Sequence, residues 1–252
     1  MKIVAINNNN EINNINYFSN EVVTYVFKNI TIENLFVAPI NASFTFYNCK
    51  IGRLVGNIDI FTIKDCEIGE IGENVSITEI IGNSYIKNIN GDSRIVLITD
   101  RVIVGSISES AKINNVLGMA RIEKMIENSS IKCIHGIAKI GKMEQGARIE
   151  LACENAIIKS MIENSSIEKM IDYSTVNFMG GNAIIERMSD FSRVLNMENG
   201  KIGLMKGDSR VVDFNKGEII DIKQYAIATN KRGEYMFNFQ ERIDLKYKPI
   251  KI

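Results

Sequence analysis

Three glutamates, Glu150, Glu168 and Glu186, recur eighteen residues apart and are the side chains best spaced for chemistry. Carboxylates placed as a pair can divide acid and base work in glycoside cleavage, provided aromatic residues and an inserted loop build a groove around them. The same series begins at Lys132, however, and Lys124, Lys142, Lys169 and Arg187 lie one residue over in neighbouring repeats. A repeat makes such ladders automatically, so a solvated, charge-compensated face is the expected reading. His135 is the only histidine and has no partner for a dyad, which puts it on an outward loop. Cys49 and Cys66 occupy positions where small buried residues belong, and Cys133 and Cys153 sit elsewhere. No C-x-x-C pair marks a metal or redox motif, so all four read as structural thiols. Gly180-Gly181 lacks the strand-to-helix context of a phosphate loop, and there is no Gly-Gly-x-Gly-x-Asp calcium turn. The expectation is a chain with no catalytic, cofactor-binding or metal-ligating residue.

What positions these side chains is a nine-residue beat. From Ile68 through Ile77, Ile86, Ile95 and Val104 to Ile185 and Val194, fifteen successive positions are Ile or Val without a slip. Three residues later runs a second apolar set, from Ile71 and Ile80 to Met188 and Met197; two residues earlier runs a small set such as Ala111, Ala120, Ser129 and Ala138. Nine residues make ~2.5 helical turns, which would put successive isoleucines on opposite faces, so a helix cannot use the pattern. The i, i+2 step is strand alternation, and the i, i+3 step demands a bend before the Met points inward again. The unit thus reads as a short strand, a corner, a shorter strand and a turn. It cannot bury its apolar face alone and must stack on copies of itself. The fold class predicted is all-β, a parallel β-solenoid.

The residue six after each Ile or Val alternates in type. One series holds Asn74, Asp92, Asn128, Gly146 and Asn164, as a positive-φ corner would ask. The other holds Arg101, Met119, Ile137, Asn155, Tyr173 and Phe191. Two units, or eighteen residues, therefore make one coil. The identical stretches Met125–Ile131 and Met161–Ile167, thirty-six residues apart, agree with that. Residues 1–48 read as an N-terminal cap, with a loop over the Asn-rich 7–14 and an aromatic cluster of Phe36, Phe44, Phe46 and Tyr47. Residues 49–222 read as the solenoid, about ten coils. Residues 223–252 read as a C-terminal cap or attachment hairpin, with its tip at 229–233 and a further strand through Ile243, Leu245 and Tyr247.

Net charge is zero, with 30 basic and 30 acidic residues, which argues against a phosphate-neutralising surface and hence against nucleic acid as a partner. There is no apolar run long enough for a membrane-spanning helix and no signal-peptide core, so synthesis in the cytoplasm is expected, and a virion component would look the same. Met119, Ile137, Tyr173 and Phe191 either fold inward and widen the core or form an exposed apolar ridge for a partner.

The array from Cys66 to Asn199 resembles the short-repeat parallel β-helices of bacteria and their phages, bactofilin cytoskeletal proteins and virion fibre proteins among them. The resemblance is architectural. It implies a non-catalytic structural or interaction rod, phage- or mobile-element-encoded, that meets a protein partner or assembles with itself through its terminal segments. The alternatives are a bactofilin-like self-assembling scaffold and a β-helical enzyme acting on polysaccharide.

Overall fold

In the computed structural model, which describes residues 2–15, 21–35 and 41–235, the nine-residue unit is a five-residue strand followed by a four-residue turn. Arg121–Met125 shows how: Ile122 and Met125 point into the core while Arg121, Glu123 and Lys124 face outward. The bend demanded by the i, i+3 step therefore lies inside one strand rather than between two. Cross-strand pairing shows where it falls: Ile95 pairs with Ile113 and Leu97 with Asn115, but the outward residue between them is skipped. The kink costs one rung of the ladder and turns the next apolar side chain inward.

Each strand pairs in parallel with the strand two units on, so that Ile113, Ile131, Ile149, Ile167 and Ile185 form one continuous ladder. The chain alternates between two sheets, of thirteen and twelve strands, which gives about twelve turns of eighteen residues where about ten were expected. The facing Ile, Val and Met ladders are fully buried and the Ala and Ser ladder closes the sides, making a single core. Hydrophobic burial repeated coil by coil, together with continuous hydrogen-bonded ladders, holds the rod together.

The two sheets run further toward the N-terminus than residue 49. Lys2–Ile6, Val23–Lys28, Thr31–Leu35 and Ala42–Tyr47 all lie within the segment expected to be a cap, yet they pair in the same two sheets. Their spacing hides them: Ile6 pairs with Phe27, Tyr25 with Phe44, and Phe44 with Ile60, intervals of 21, 19 and 16 residues. These irregular first coils are filled by Tyr25, Phe27, Phe44 and Phe46, all buried, with Phe27 and Phe46 stacked at 4.8 Å. Tyr47 instead faces outward under the Lys28 ammonium, and Phe36 lies outside the described residues. The expected Asn-rich loop is a 3-10 helix, Asn9–Asn14, because the Asn8 side chain accepts from the Asn10 and Glu11 N–H groups at 3.1 and 3.2 Å. Ile12 and Ile15 from this segment pack onto the core.

At the other end, Ile227–Ala228 adds a last short strand, and an antiparallel bridge joins Thr229 to Tyr235 around the expected hairpin tip. The strand proposed through Ile243, Leu245 and Tyr247 lies outside the described residues.

The corners differ from expectation by one residue. Positive φ falls mostly five positions after the Ile or Val, at Gly82, Gly91, Asp100, Glu109, Gly118, Glu127, Gly136, Glu154, Glu163, Asp172 and Asp190, while Gly146 and Gly200 keep it at the expected sixth. Acids occupy this left-handed position because neighbouring coils supply them with donors. Asp100 Oδ2 accepts the Gly82 N–H at 2.9 Å, Glu127 Oε2 the Glu109 N–H at 2.7 Å, and Asp172 Oδ2 the Glu154 N–H at 3.0 Å. A charge-assisted bond to backbone offsets a cost of about 1–2 kcal/mol for left-handed geometry.

Candidate functional site

The corner that leads from the thirteen-stranded to the twelve-stranded sheet carries Met119, Ile137, Tyr173 and Phe191. Each sits one residue after the left-handed position, held by Gly118, Gly136, Asp172 and Asp190 respectively. A turn with positive φ there throws the following side chain outward. Of the two arrangements open to the sequence the structure adopts the exposed one: Met119 is 49% exposed, Ile137 49%, Tyr173 57% and Phe191 44%. Backbone bonds stack the column rigidly, from Met119 N–H to Asp100 carbonyl at 2.9 Å and from Ile137 N–H to Gly118 carbonyl at 3.1 Å. Tyr173 N–H continues it to the Glu154 carbonyl at 2.9 Å. With ~4.8 Å per coil, the ridge from Met119 to Phe191 spans ~19 Å. Asn155 interrupts it between Ile137 and Tyr173.

The Tyr173 and Phe191 rings stack at 5.1 Å with only 6° between their planes. Their outer faces are held in place yet remain open to solvent, the arrangement that favours protein contacts, since rigid aromatic area is gained without loss of side-chain freedom. Phe178 lies in the strand Thr175–Met179 that follows this corner, and its ring packs by Gly180 rather than joining the column. Tyr225, 69% exposed, sits at the corresponding position of a later coil and extends the column beyond Asp208, an addition that the register slip after Val194 conceals in the sequence.

In the acid ladder, Glu168 lies between Arg148 and Arg187, at 3.2 and 3.3 Å, in exposed ion pairs. On the other sheet Glu144 is only 7% exposed and is gripped by both Lys124 and Lys142, which hold its carboxyl below the ordinary carboxylate value. Arg53 does the same for Glu70, helped by Asn90. His135 is partly exposed, with Nδ1 3.8 Å from Glu154 Oε1.

The cysteines form two cross-coil pairs, a feature that single-residue spacing rules do not reveal. Cys49 and Cys66 are buried neighbours, and the Cys49 N–H donates to the Cys66 sulfur at 3.3 Å. Cys133 and Cys153 are half-buried, and burial pushes both thiols up, Cys153 to about 12. Among the described residues no group of three or more His, Cys, Asp or Glu side chains is arranged to hold a metal ion. No helix among them is long and apolar enough to cross a membrane. In comparisons with known proteins, no family model, curated protein or solved structure matches the chain.

Proposed function

We propose that the chain is a non-catalytic structural rod that presents its corner ridge to a protein partner. The observation that carries this reading is the column of Met119, Ile137, Tyr173 and Phe191, four large apolar side chains about half exposed on a backbone that cannot relax to bury them. Exposed apolar surface of this kind, here in two stacked pairs either side of Asn155 and flanked by polar residues such as Arg121, Lys139 and Arg193, is characteristic of a contact site. A phage or mobile-element setting, in a virion or against a host protein, belongs to the same proposal, as does the lack of catalysis. The pairing of Glu168 with two arginines supports it over a polysaccharide-cleaving acid pair.

A self-assembling scaffold of bactofilin type is the second reading. It draws on the strand Glu218–Ile222, which ends its sheet among the described residues with Ile219 and Ile222 only partly buried. Such an edge can template another chain.

The test is affinity purification from the cells that encode the chain, comparing wild type with a variant carrying serine at 119, 137, 173 and 191. A partner protein that accompanies the wild type and is lost from an equally stable variant supports the ridge. The same retained proteins in both would remove it, and recovery of this chain alone as a concentration-dependent polymer would favour the scaffold.

A further inference from the structure

Cys49 and Cys66 sit one above the other at the inward small-residue position of consecutive coils. The coil between them is short: Lys50 pairs with Glu67, an interval of seventeen residues instead of eighteen. At this corner lies a surface notch of about 270 Å³ lined by Asn29, Thr31, Asn48, Lys50 and Asp65, with Cys49 buried at its floor, 3% exposed. The two cysteines face each other across the ladder. Glu67 N–H donates to the Cys49 carbonyl at 2.9 Å, and Cys49 N–H to the Cys66 sulfur at 3.3 Å. Opposed residues on neighbouring coils lie ~4.8 Å apart, inside the span of about 4.4–6.8 Å that a disulfide bridges without moving the backbone.

We propose that Cys49 and Cys66 form a peroxide-reactive dithiol site, in which a hydroperoxide entering the notch oxidises Cys49 and Cys66 resolves it into a disulfide that staples two coils. In the first step the Cys49 thiolate attacks the terminal peroxide oxygen. The O–O bond breaks, Cys49 becomes a sulfenic acid, and the leaving oxygen takes up a proton as water or an alcohol. In the second, the Cys66 sulfur attacks the sulfenic sulfur, the S–O bond breaks, and the departing hydroxide takes the Cys66 proton and leaves as water. Two thiols lose two electrons and the peroxide gains them.

The surroundings divide the roles. The Cys49 thiol donates to the Tyr47 carbonyl at 3.3 Å and the Cys66 thiol to the Lys64 carbonyl at 3.2 Å. Contact with the Cys66 side chain, helped by the backbone around Ile30, Tyr47 and Asn29, lowers the Cys49 thiol. Cys66 is pushed up by the same contact and by burial, and so stays a thiol while Cys49 meets the peroxide; it gives up its proton to the departing hydroxide as it attacks the sulfenic sulfur. The more exposed pair, Cys133 and Cys153, carries less thiolate because both thiols are raised.

The experiment treats the full native chain with dilute hydrogen peroxide, then denatures it, alkylates free thiols and maps peptides by mass. The expected result is a Cys49–Cys66 cross-linked peptide at peroxide doses that leave Cys133 and Cys153 alkylated. In C66S a dione probe should trap a sulfenic acid at Cys49. The proposal is overturned if Cys133 and Cys153 oxidise at equal or lower dose, or if Cys49 and Cys66 stay alkylated at every dose that preserves the fold.

Discussion

The repeated stretches Met125–Ile131 and Met161–Ile167 are identical in sequence, and they set up a comparison in which the same substitution should have opposite signs. Both contain a fully buried serine in the small-residue ladder, Ser129 and Ser165. Ser165 Oγ donates to the Ile162 carbonyl at 2.8 Å, closing its corner. Ser129 Oγ is buried with no partner. An unpaired buried hydroxyl costs about 1–3 kcal/mol by mutational measures, while a made hydrogen bond contributes about 0.5–1.5 kcal/mol. The coils on either side of Ser129 carry Ala111 and Ala147 in the same slot, each fully buried, so a methyl group fits there. Ser129→Ala should therefore stabilise by about 1 kcal/mol, and Ser165→Ala should destabilise by about 1 kcal/mol. For a chain of this size that is a shift of about 2–4 °C in Tm, upward in the first and downward in the second. Thermal and urea unfolding followed by circular dichroism would read both. If both variants lose stability by the same amount, the partner-by-partner account of this ladder is wrong.

Ile149→Ala removes a fully buried rung from the middle of the stack and should cost about 2–5 kcal/mol in urea unfolding. At the left-handed corner, Glu154 has φ of 55° and accepts the Gly136 N–H at 2.9 Å. Glu154→Ala loses that bond, at a cost of about 1 kcal/mol, whereas Glu154→Gly recovers about as much from relaxed backbone and should be close to neutral. Glu144→Gln should destabilise at neutral pH, since Lys124 and Lys142 hold the native carboxyl below its ordinary value of 4.5. A depressed carboxylate stabilises the fold fully above its unfolded value, and that contribution is lost as pH falls through the native one. The gap between wild type and variant should thus be widest above pH 4.5 and close in more acidic solution, as read from urea midpoints across pH.

The two-sheet stack was legible in the sequence because Ile68 to Val194 keep one period, and only a two-strand coil gives stacked identical residues every eighteen positions. The corner chemistry was not. Local preference points to Asn and Gly at the sixth position, whereas Glu109, Glu127 and Asp172 take the left-handed fifth position because their carboxylates meet N–H groups of another coil. A tertiary contact of that kind leaves no mark on local propensity. The first coils were hidden for a related reason: bulky Tyr25, Phe27, Phe44 and Phe46 replace the Ile and Val of the core ladder, and intervals of 21, 19 and 16 residues break the count. The ridge could be named but not oriented, since the same residues at an inward corner would have read identically. It is the left-handed residue before each of them that turns Met119, Ile137, Tyr173 and Phe191 outward.

The proposed role of that ridge is tested most directly by photo-crosslinking in the cells that encode the chain. A photoreactive amino acid would replace Phe191 on the ridge and, as a control, Lys132 on the outer sheet face. The account predicts a discrete protein adduct from position 191, absent from position 132 and abolished when Met119, Ile137 and Tyr173 are changed to serine. Equal labelling from both positions, or an adduct that survives the serine changes, would contradict it.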